Sequence, residues 1–579
     1  MKKYISIVLL SILLLPGVVS AKELIIDNYN SGTNKNEYYE ESVPTNDGGY
    51  ITVGYSATSD VSEEQETRYS QQIIGLITKY DKNDQIVWEK TYDGSKAEYL
   101  NGIDIYEDGS FIVAGASSSI DISGITNKGY FDAIILKYDA NGNLLWQKNY
   151  GGSNNDWYQS VEITKDGGFI TAGYTKSTDI EGISASKLKD ALLVKYTKDG
   201  TIEFQQTLKG NHNDSFNKVI QIDSEDYIVV GYSASINVCP TTILDVYGNG
   251  IIAKYNKNGE LQWLNAHYET KQTGSALSSM QGTSPKISLS ENKQYGYQDI
   301  IVDNEGNYIV VGAIPYSLIV SRSLSSERYA GIAKYSHEGD MISEQIYMDC
   351  SERMTGIIEV DDGYLVVGHS SDYHSPQTRS LSYEPQNSYI TKIKDDFTTE
   401  WIKVYSGSRS DMFYDINKTI YDKYVVVGAS SSPDLEGITN NGYSDAIVVT
   451  LNYKYDIVPT ESTNGTYTIN KVDNKGKIDI HPESGYELKD IIITDTAGNK
   501  ISYYEENGAY YFIQRDDVTI DVQYRKIENP KTGDLLSYIK LGSLLIILGY
   551  TLKIIKNNKL NKNNWEKLNC FFLICINSL

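Results

Sequence analysis

Cysteine is scarce in this chain of 579 residues: Cys239 and Cys350 lie in the body, and Cys570 and Cys575 at the extreme carboxy terminus. No C-x-x-C pair exists, which excludes the usual zinc and dithiol redox spacings. Cys239 and Cys350 stay open to two readings, a disulfide in an oxidising compartment or two buried free thiols. Histidine is rare too. His212, His267, His337, His369, His374 and His481 form no H-E-x-x-H and no other paired spacing. Neither G-x-S-x-G nor a P-loop occurs, so no enzyme class announces itself by motif. An active site assembled from dispersed loops is left open. Positive charge is also short. The formal net charge of -24 excludes a nucleic-acid backbone as partner, because that binding needs clustered Lys and Arg.

What is abundant is tyrosine, at 49 residues against 6 methionines and 11 prolines. Aromatic and β-branched residues suit a pleated, half-buried surface. The stretch from Asp108 to Ser153 shows how they are used. Phe111-Ile112-Val113-Ala114-Gly115 and Ala133-Ile134-Ile135-Leu136-Lys137-Tyr138 are strand-length apolar runs. Each is punctuated by an Asp/Asn/Gly turn, which predicts β-hairpins. The hairpin glycine recurs as Gly54, Gly115, Gly173, Gly231, Gly312, Gly368 and Gly428, at spacings of 61, 58, 58, 81, 56 and 60 residues. The second hairpin recurs around Lys79-Tyr80, Lys137-Tyr138, Lys195-Tyr196, Lys254-Tyr255, Lys334-Tyr335 and Lys392-Ile393. An aromatic follows nine residues after that Lys at Trp88, Trp146, Phe204, Trp263 and Trp401, with Ser343 the exception.

Each unit reads as four strands; in the third these are 161–164, 169–174, 191–196 and 202–208. Four-stranded units repeated radially predict an all-β, seven-bladed β-propeller over residues 22–455. The seventh unit lacks a fourth strand. The segment beginning at Glu23 supplies it, aligned so that Ile25 takes the aromatic position. Closure by the amino-terminal strand would remove free sheet edges. The Asp139-x-x-Gly142-x-x-x-Trp146 pattern resembles the tryptophan-docking repeat of quinoprotein-like propellers, and the whole unit is similar to repeats of secreted bacterial propeller proteins. It differs from the sialidase Asp-box, which needs Ser-x-Asp-x-Gly.

Both ends carry export signals. Lys2-Lys3, the apolar run from Ile5 to Leu15 and Val19-Ser20-Ala21 predict a signal peptide over 1–21. Residues 456–526 form a second, smaller all-β segment that resembles the internalin B-repeat stalk of Gram-positive surface proteins. Asn529-Pro530-Lys531-Thr532-Gly533, in the segment 527–533, precedes an apolar span over 534–556 and a basic, then apolar, tail over 557–579. That order resembles the cell-wall sorting signal of sortase substrates. Asn529 in place of the usual Leu points to a class-B-like or clostridial sortase. The resemblance implies cleavage after Thr532 and attachment to peptidoglycan, hence an extracellular location on a Gram-positive wall, with sortase as partner. Membrane contact would come only through the carboxy-terminal segment before sorting. A plain membrane anchor is the alternative, with Lys540 reaching the interface.

Chemistry is sought in two places. Long second-to-third strand loops and connections cluster in units four to six (238–247, 268–297, 317–327 and 372–387), and long loops on a rigid scaffold carry binding. Tyr316, Tyr373, His374 and Tyr383 are the candidate binding face, with a host matrix protein or glycan as ligand. The blade connections repeat Gly-Ser-x-x-acid, with Asn211 in place of Ser before Asp214, which sets Glu98, Asp156, Asp214 and Asp411 at the start of innermost strands as candidate channel carboxylates. Asp121/Asp132, Asp179/Asp190 and Asp434/Asp445 are each eleven residues apart across one loop. Calcium would need several such oxygens converging; acceptance of loop N–H bonds explains the recurrence better. No metal site and no cofactor is expected. The reading is a displayed adhesin or recognition protein rather than an enzyme. The alternatives are an exported glycan-active or quinone-dependent propeller enzyme, or a structural wall component.

Overall fold

The computed structural model describes residues 23–30, 35–57, 72–235, 238, 249–267, 296–320, 323–347, 353–371, 386–435, 438, 440, 443–454, 457–472, 475–496, 498–514 and 517–527. The chain divides after Lys454 into two compact units. Among the described residues every regular element is a strand, and none is a helix long and apolar enough to cross a membrane. The expected signal peptide at 1–21, the Asn529–Gly533 motif, the apolar stretch at 534–556 and both body cysteines lie outside the described residues.

The first unit is seven antiparallel sheets of four strands. Sheet one holds Asn36–Pro44, Tyr50–Ala57, Ile73–Tyr80 and Ile86–Tyr92. Sheets two to six start at Glu98–Ile105, Asp156–Ile163, Asp214–Gln221, Gly296–Val302 and Arg353–Val360. Sheet seven takes Asp411–Lys418, Tyr424–Ser430 and Asp445–Lys454 from one end of the array and Glu23–Asn30 from the other. The first strands of consecutive sheets touch in cyclic order, and the strand of sheet seven touches that of sheet one. This is a propeller-type arrangement.

The core has the same cyclic form. Each sheet is apolar on both faces of its second and third strands, as in Phe111–Ser117 and Asp132–Tyr138, which are buried throughout. A separate apolar cluster therefore fills each gap between neighbours. Ile51, Val53 and Ile77 of sheet one meet Leu100, Phe111 and Ile134 of sheet two. The gap between sheets seven and one is filled likewise, by Val425, Val427, Ala446 and Val448 against Tyr39, Tyr50, Leu76 and Tyr80.

The recurring aromatic joins the sheets at their outer part. Trp88 of sheet one stacks on Phe111 of sheet two at 6.2 Å between ring centroids. It also lies against Gly142 in sheet two's last turn, where a Cβ would come within 3.0 Å of the indole. Gly142 has φ +74°, so the turn needs a residue without a Cβ twice over, for conformation and for space. Trp146 repeats the contact on Phe169 at 6.2 Å and on Gly200. Each such ring contributes about 2 kcal/mol of apolar burial between sheets.

Two details differ from the sequence reading. The first strand of sheet three is Asp156–Ile163, five residues earlier than expected, because the polar Asp156, Gln159 and Ser160 around its bulge break the apolar alternation. In sheet seven Asp27 lies opposite Thr450. Thr450 and Lys137 are equivalent, since Tyr424 pairs Leu451 as Phe111 pairs Tyr138. Asp27, and not Ile25, thus holds the register position of Trp146, which pairs Lys137. Elsewhere a hairpin turn sets that register; a strand arriving from the far end of the chain has none.

The second unit is two small sheets. One holds Ile457–Pro459, Val518–Lys526 and Tyr486–Asp495; the other Gly465–Val472, Lys475–Pro482, Ala509–Ile513 and Tyr503–Glu506. Ile478, Ile491, Phe512, Ile520 and Val522 form its core.

Candidate functional site

The four recurring carboxylates are fixed inside their own repeats. Glu98 is fully buried. Its Oε2 accepts the Gly94 N–H at 2.9 Å, and its Oε1 accepts the Ser117 and Ser119 hydroxyls. Asp156 accepts the Gly152 N–H at 2.9 Å and the Thr175 and Ser177 hydroxyls. Asp411 does the same with Gly407, Ser430 and Ser432. Asp214 accepts the Ser233 and Ser235 hydroxyls. Burial pushes all four carboxyls upward, Asp214 to about 7. These side chains tie the entry of the innermost strand to the end of the second, and none lines the central cavity.

The loop aspartates are also engaged locally. Asp121, Asp179 and Asp434 accept the N–H groups of Ser95, Ser153 and Ser408, at 2.9, 2.9 and 2.7 Å. Those bonds hold them below the usual carboxylate range. Of the proposed binding face, Tyr373, His374 and Tyr383 lie outside the described residues. Tyr316 falls in the strand Tyr308–Val320, paired with Glu327 of Ser323–Tyr335. The loop expected at 317–327 is therefore largely an extension of the hairpin, consistent with the alternating Ile314, Tyr316, Leu318 and Val320.

What the structure does gather is a cavity of about 290 Å³ on the propeller axis, to which all seven innermost strands contribute. Each of those strands carries one β-bulge at the same place. The residues left without a ladder partner are Glu40, Asn101, Gln159, Asn217, Gln298, Thr355 and Tyr414. All seven are half-buried and all line the cavity. Bulges re-aim side chains while the rest of the strand keeps its register.

Several of these residues stitch neighbours together. Asn101 Nδ2 donates to the Tyr158 carbonyl and Asn217 Nδ2 to the Tyr297 carbonyl, both at 2.8 Å. The Thr355 hydroxyl donates to the Phe413 carbonyl at 2.8 Å.

The next residue along adds charge. Lys218 of sheet four reaches across the axis to Glu41 of sheet one. Glu41 also accepts the Ile103 N–H at 2.8 Å. Asp299 and Asp415 lie in the field of the same ammonium, and they accept the N–H groups of Ile357 and Ser42, each at 2.9 Å. Lys218 is held well above its ordinary value by these carboxylates, against the opposing effect of burial. Burial raises Glu41 to about 7 and Asp299 to about 6. Burial raises Glu40 likewise to about 7, with Arg353 pulling the other way.

Two residues before the bulge, the strands of sheets one to three present aromatic rings. Tyr38 stacks on Tyr55 at 4.8 Å, and Tyr55 meets Tyr99 edge-on at 4.9 Å. Tyr99 and Phe131 both contact Trp157, at 5.1 and 5.0 Å. Trp157 lies parallel to Tyr174 at 6.3 Å, and the Lys189 ammonium sits 4.2 Å from the Tyr174 ring centroid. The Tyr55 phenol feels the Glu40 carboxylate and the Tyr414, Tyr38 and Tyr99 hydroxyls, so the arc borders the cavity.

Sequence reasoning missed this site. Its residue types differ from sheet to sheet, so no repeat marks them. The only available signal was the variable pair after each innermost aromatic or apolar residue, as in Tyr39-Glu40-Glu41 and Phe216-Asn217-Lys218.

No protein-family model matches the sequence, and no curated protein is similar to it. Among solved structures the chain is similar to Sqt1 from Chaetomium thermophilum, at 9% identity over 69% of this chain and 82% of that one, with a TM-score of 0.35. It is similar to the GH93 α-L-arabinofuranosidase of Fusarium graminearum in complex with arabinobiose, at 9% identity over 61% and 93%, with a TM-score of 0.32. A third is the Neurospora crassa Pan2 WD40 domain, at 10% identity over 75% and 97%, with a TM-score of 0.28. Similarity this distant carries no argument. The propeller reading rests on the sheet order, the cyclic strand contacts and the seven inter-sheet clusters.

Proposed function

We propose that the chain is a wall-displayed recognition protein: a seven-bladed propeller closed by its amino-terminal strand, set on a small β stalk and sorted through Asn529-Pro530-Lys531-Thr532-Gly533. The observation that carries the reading is this pentapeptide standing directly before an apolar run and a basic stretch with Lys553, Lys556 and Lys559. That order stalls a chain in the bilayer with its basic end inside and its motif outside. Two units upstream, each with its own core, suit a binding body and a spacer. The ligand class is a host matrix protein or glycan.

Cell fractionation tests display. Wild-type chain should leave the wall only after peptidoglycan digestion, and Thr532→Ala should shift it to the membrane fraction. Equal release of both by detergent alone sinks sorting. Closure is tested by deleting 23–30, which should expose the edge of Asp445–Lys454 and cause aggregation. A monomeric, equally stable deletion sinks it.

A second reading, an exported glycan-active enzyme, draws on one observation. Glu40, raised to about 7 and set beside Arg353, suits a general acid near neutral pH. Release of reducing sugar from polysaccharide, abolished by Glu40→Gln, would establish it; no turnover across a broad polysaccharide panel would remove it.

A further inference from the structure

The axial cavity is lined by all seven sheets, and the aromatic arc of sheets one to three continues its surface at the rim. We propose that this surface is a carbohydrate site: one uncharged pyranose ring, the terminal unit of a glycan, stacks on the Trp157–Tyr99 platform and places its hydroxyls among Glu40, Arg353 and the tyrosine phenols. The inference rests on the recognition reading and assigns it a place and a ligand class.

Three features select sugar chemistry. A pyranose has an apolar C–H face and a rim of hydroxyls, each both donor and acceptor. The arc supplies the matching apolar faces; Trp157, Tyr99, Tyr55 and Tyr38 are half-buried rather than sealed in the core, with ring centroids 4.8 to 5.1 Å apart along the row. Tyr and Trp combine an apolar body with a polar tip, which suits such mixed ligands. The cavity supplies the polar half. Glu40 accepts and, when protonated, also donates; Arg353 offers only donors, and Gln159 offers both.

Charge decides against the nearest rival. Aromatic rings around a carboxylate also bind quaternary ammonium groups. Here Arg353 lies in the field of Glu40 and Tyr414, Lys218 crosses the same cavity, and Lys189 already covers the end of the arc. Glu40 therefore already faces a guanidinium, and the other three carboxylates of the cavity, Glu41, Asp299 and Asp415, face the Lys218 ammonium, which leaves a cationic ligand no unshared carboxylate. Size agrees with a single ring: about 290 Å³ is at the small end of ligand pockets, which begin near ~300 Å³. The variable bulge residues also fit recognition, since a ring of seven identical side chains could not match an asymmetric ligand.

The test uses the purified full-length chain, titrated with glucose, galactose, mannose, arabinose and N-acetylglucosamine. Saturation-transfer NMR and tryptophan fluorescence report binding, and choline is the cationic counter-probe. The expected result is saturable binding of at least one sugar, weakened at least tenfold by Trp157→Ala and by Glu40→Gln, with choline inert. Glu40→Gln is isosteric and keeps the test decisive if Trp157→Ala fails to fold. No saturable sugar, or saturation by choline alone, overturns the carbohydrate assignment. Sugar binding unchanged in both variants overturns the site and leaves the recognition reading standing. That reading fails separately, if an array of matrix proteins and glycans is blank for the wild-type chain.

Discussion

Two sets of polar side chains lie a few residues apart on the same innermost strands, and they serve opposite ends. Glu98, Asp156, Asp214 and Asp411 recur from sheet to sheet, are fully buried, and among the described residues accept bonds from their own repeat. Glu40, Asn101, Gln159, Asn217, Gln298, Thr355 and Tyr414 occupy one equivalent position, draw on five residue types, and meet on the axis. What is repeated builds the sheet. What varies at a repeated position faces whatever the protein meets.

Removing a scaffold carboxylate should give the largest effect. Asp156→Ala leaves the Gly152 N–H and the Thr175 and Ser177 hydroxyls without their acceptor in a buried place. Unsatisfied buried donors cost roughly 1–3 kcal/mol each, so a loss of about 4 kcal/mol is expected in urea unfolding. A loss below about 1 kcal/mol would erase the distinction between the two sets.

Lys218→Met should come next, because it removes the one ammonium facing Glu41, Asp299 and Asp415. Breaking a buried pair leaves its carboxylate uncompensated, at a cost of about 3 kcal/mol. Without the cation Glu41 and Asp299, already raised by burial, hold protons to still higher pH in the folded state. Stability then falls as pH rises wherever the native state binds more protons. The deficit of the variant should therefore be larger at pH 8 than at pH 5. An equal deficit at both would mean that the ammonium is not neutralising the ring.

The sequence made the scaffold legible and the site illegible for one reason. Gly142 and Trp88 are read from spacing because every sheet solves the same packing problem with the same residues. The bulge positions solve no shared problem, so Glu40, Gln159 and Tyr414 share no type to search for. Recurrence of Gly-Ser-x-x-acid drew attention to Asp156 as a channel group, whereas recurrence itself marks a scaffold role. The hairpin running on through Tyr316 was hidden for a related reason: a strand extended in one repeat alone reads as an insertion. The register of the closing strand needed a pairing partner more than 400 residues away, Asp27 with Thr450, and no local turn encodes it.

Within the scaffold set, Asp214 differs from Asp156. Burial raises it to about 7, against about 3.9 for an unfolded aspartate. A carboxyl whose folded value is raised keeps its proton from about pH 4 to 7 in the native state only, so its contribution to stability declines across that window as pH rises. Asp214→Asn should flatten the stability profile there, by at most about 1.4 kcal/mol per pH unit relative to wild type. An unchanged slope between pH 4 and 7 would show that Asp214 is ionised in the folded chain.

The smallest stability effect should belong to the residue with the largest proposed effect on binding. Glu40 sits half-buried on the axis at about 7, so near neutral pH its carboxyl spends much of its time protonated. Glu40→Gln keeps the shape and replaces a partly protonated carboxyl with an amide, so the change in unfolding free energy should stay within about 0.5 kcal/mol. Sugar affinity should fall at least tenfold in the same protein. The two numbers together separate site from scaffold: Asp156→Ala should destabilise the chain by several kcal/mol, whereas Glu40→Gln should leave it as stable as wild type but unable to bind. If Glu40→Gln destabilises as strongly as Asp156→Ala, the axial carboxylates belong to the scaffold, and the ligand-facing surface must be sought elsewhere on the propeller.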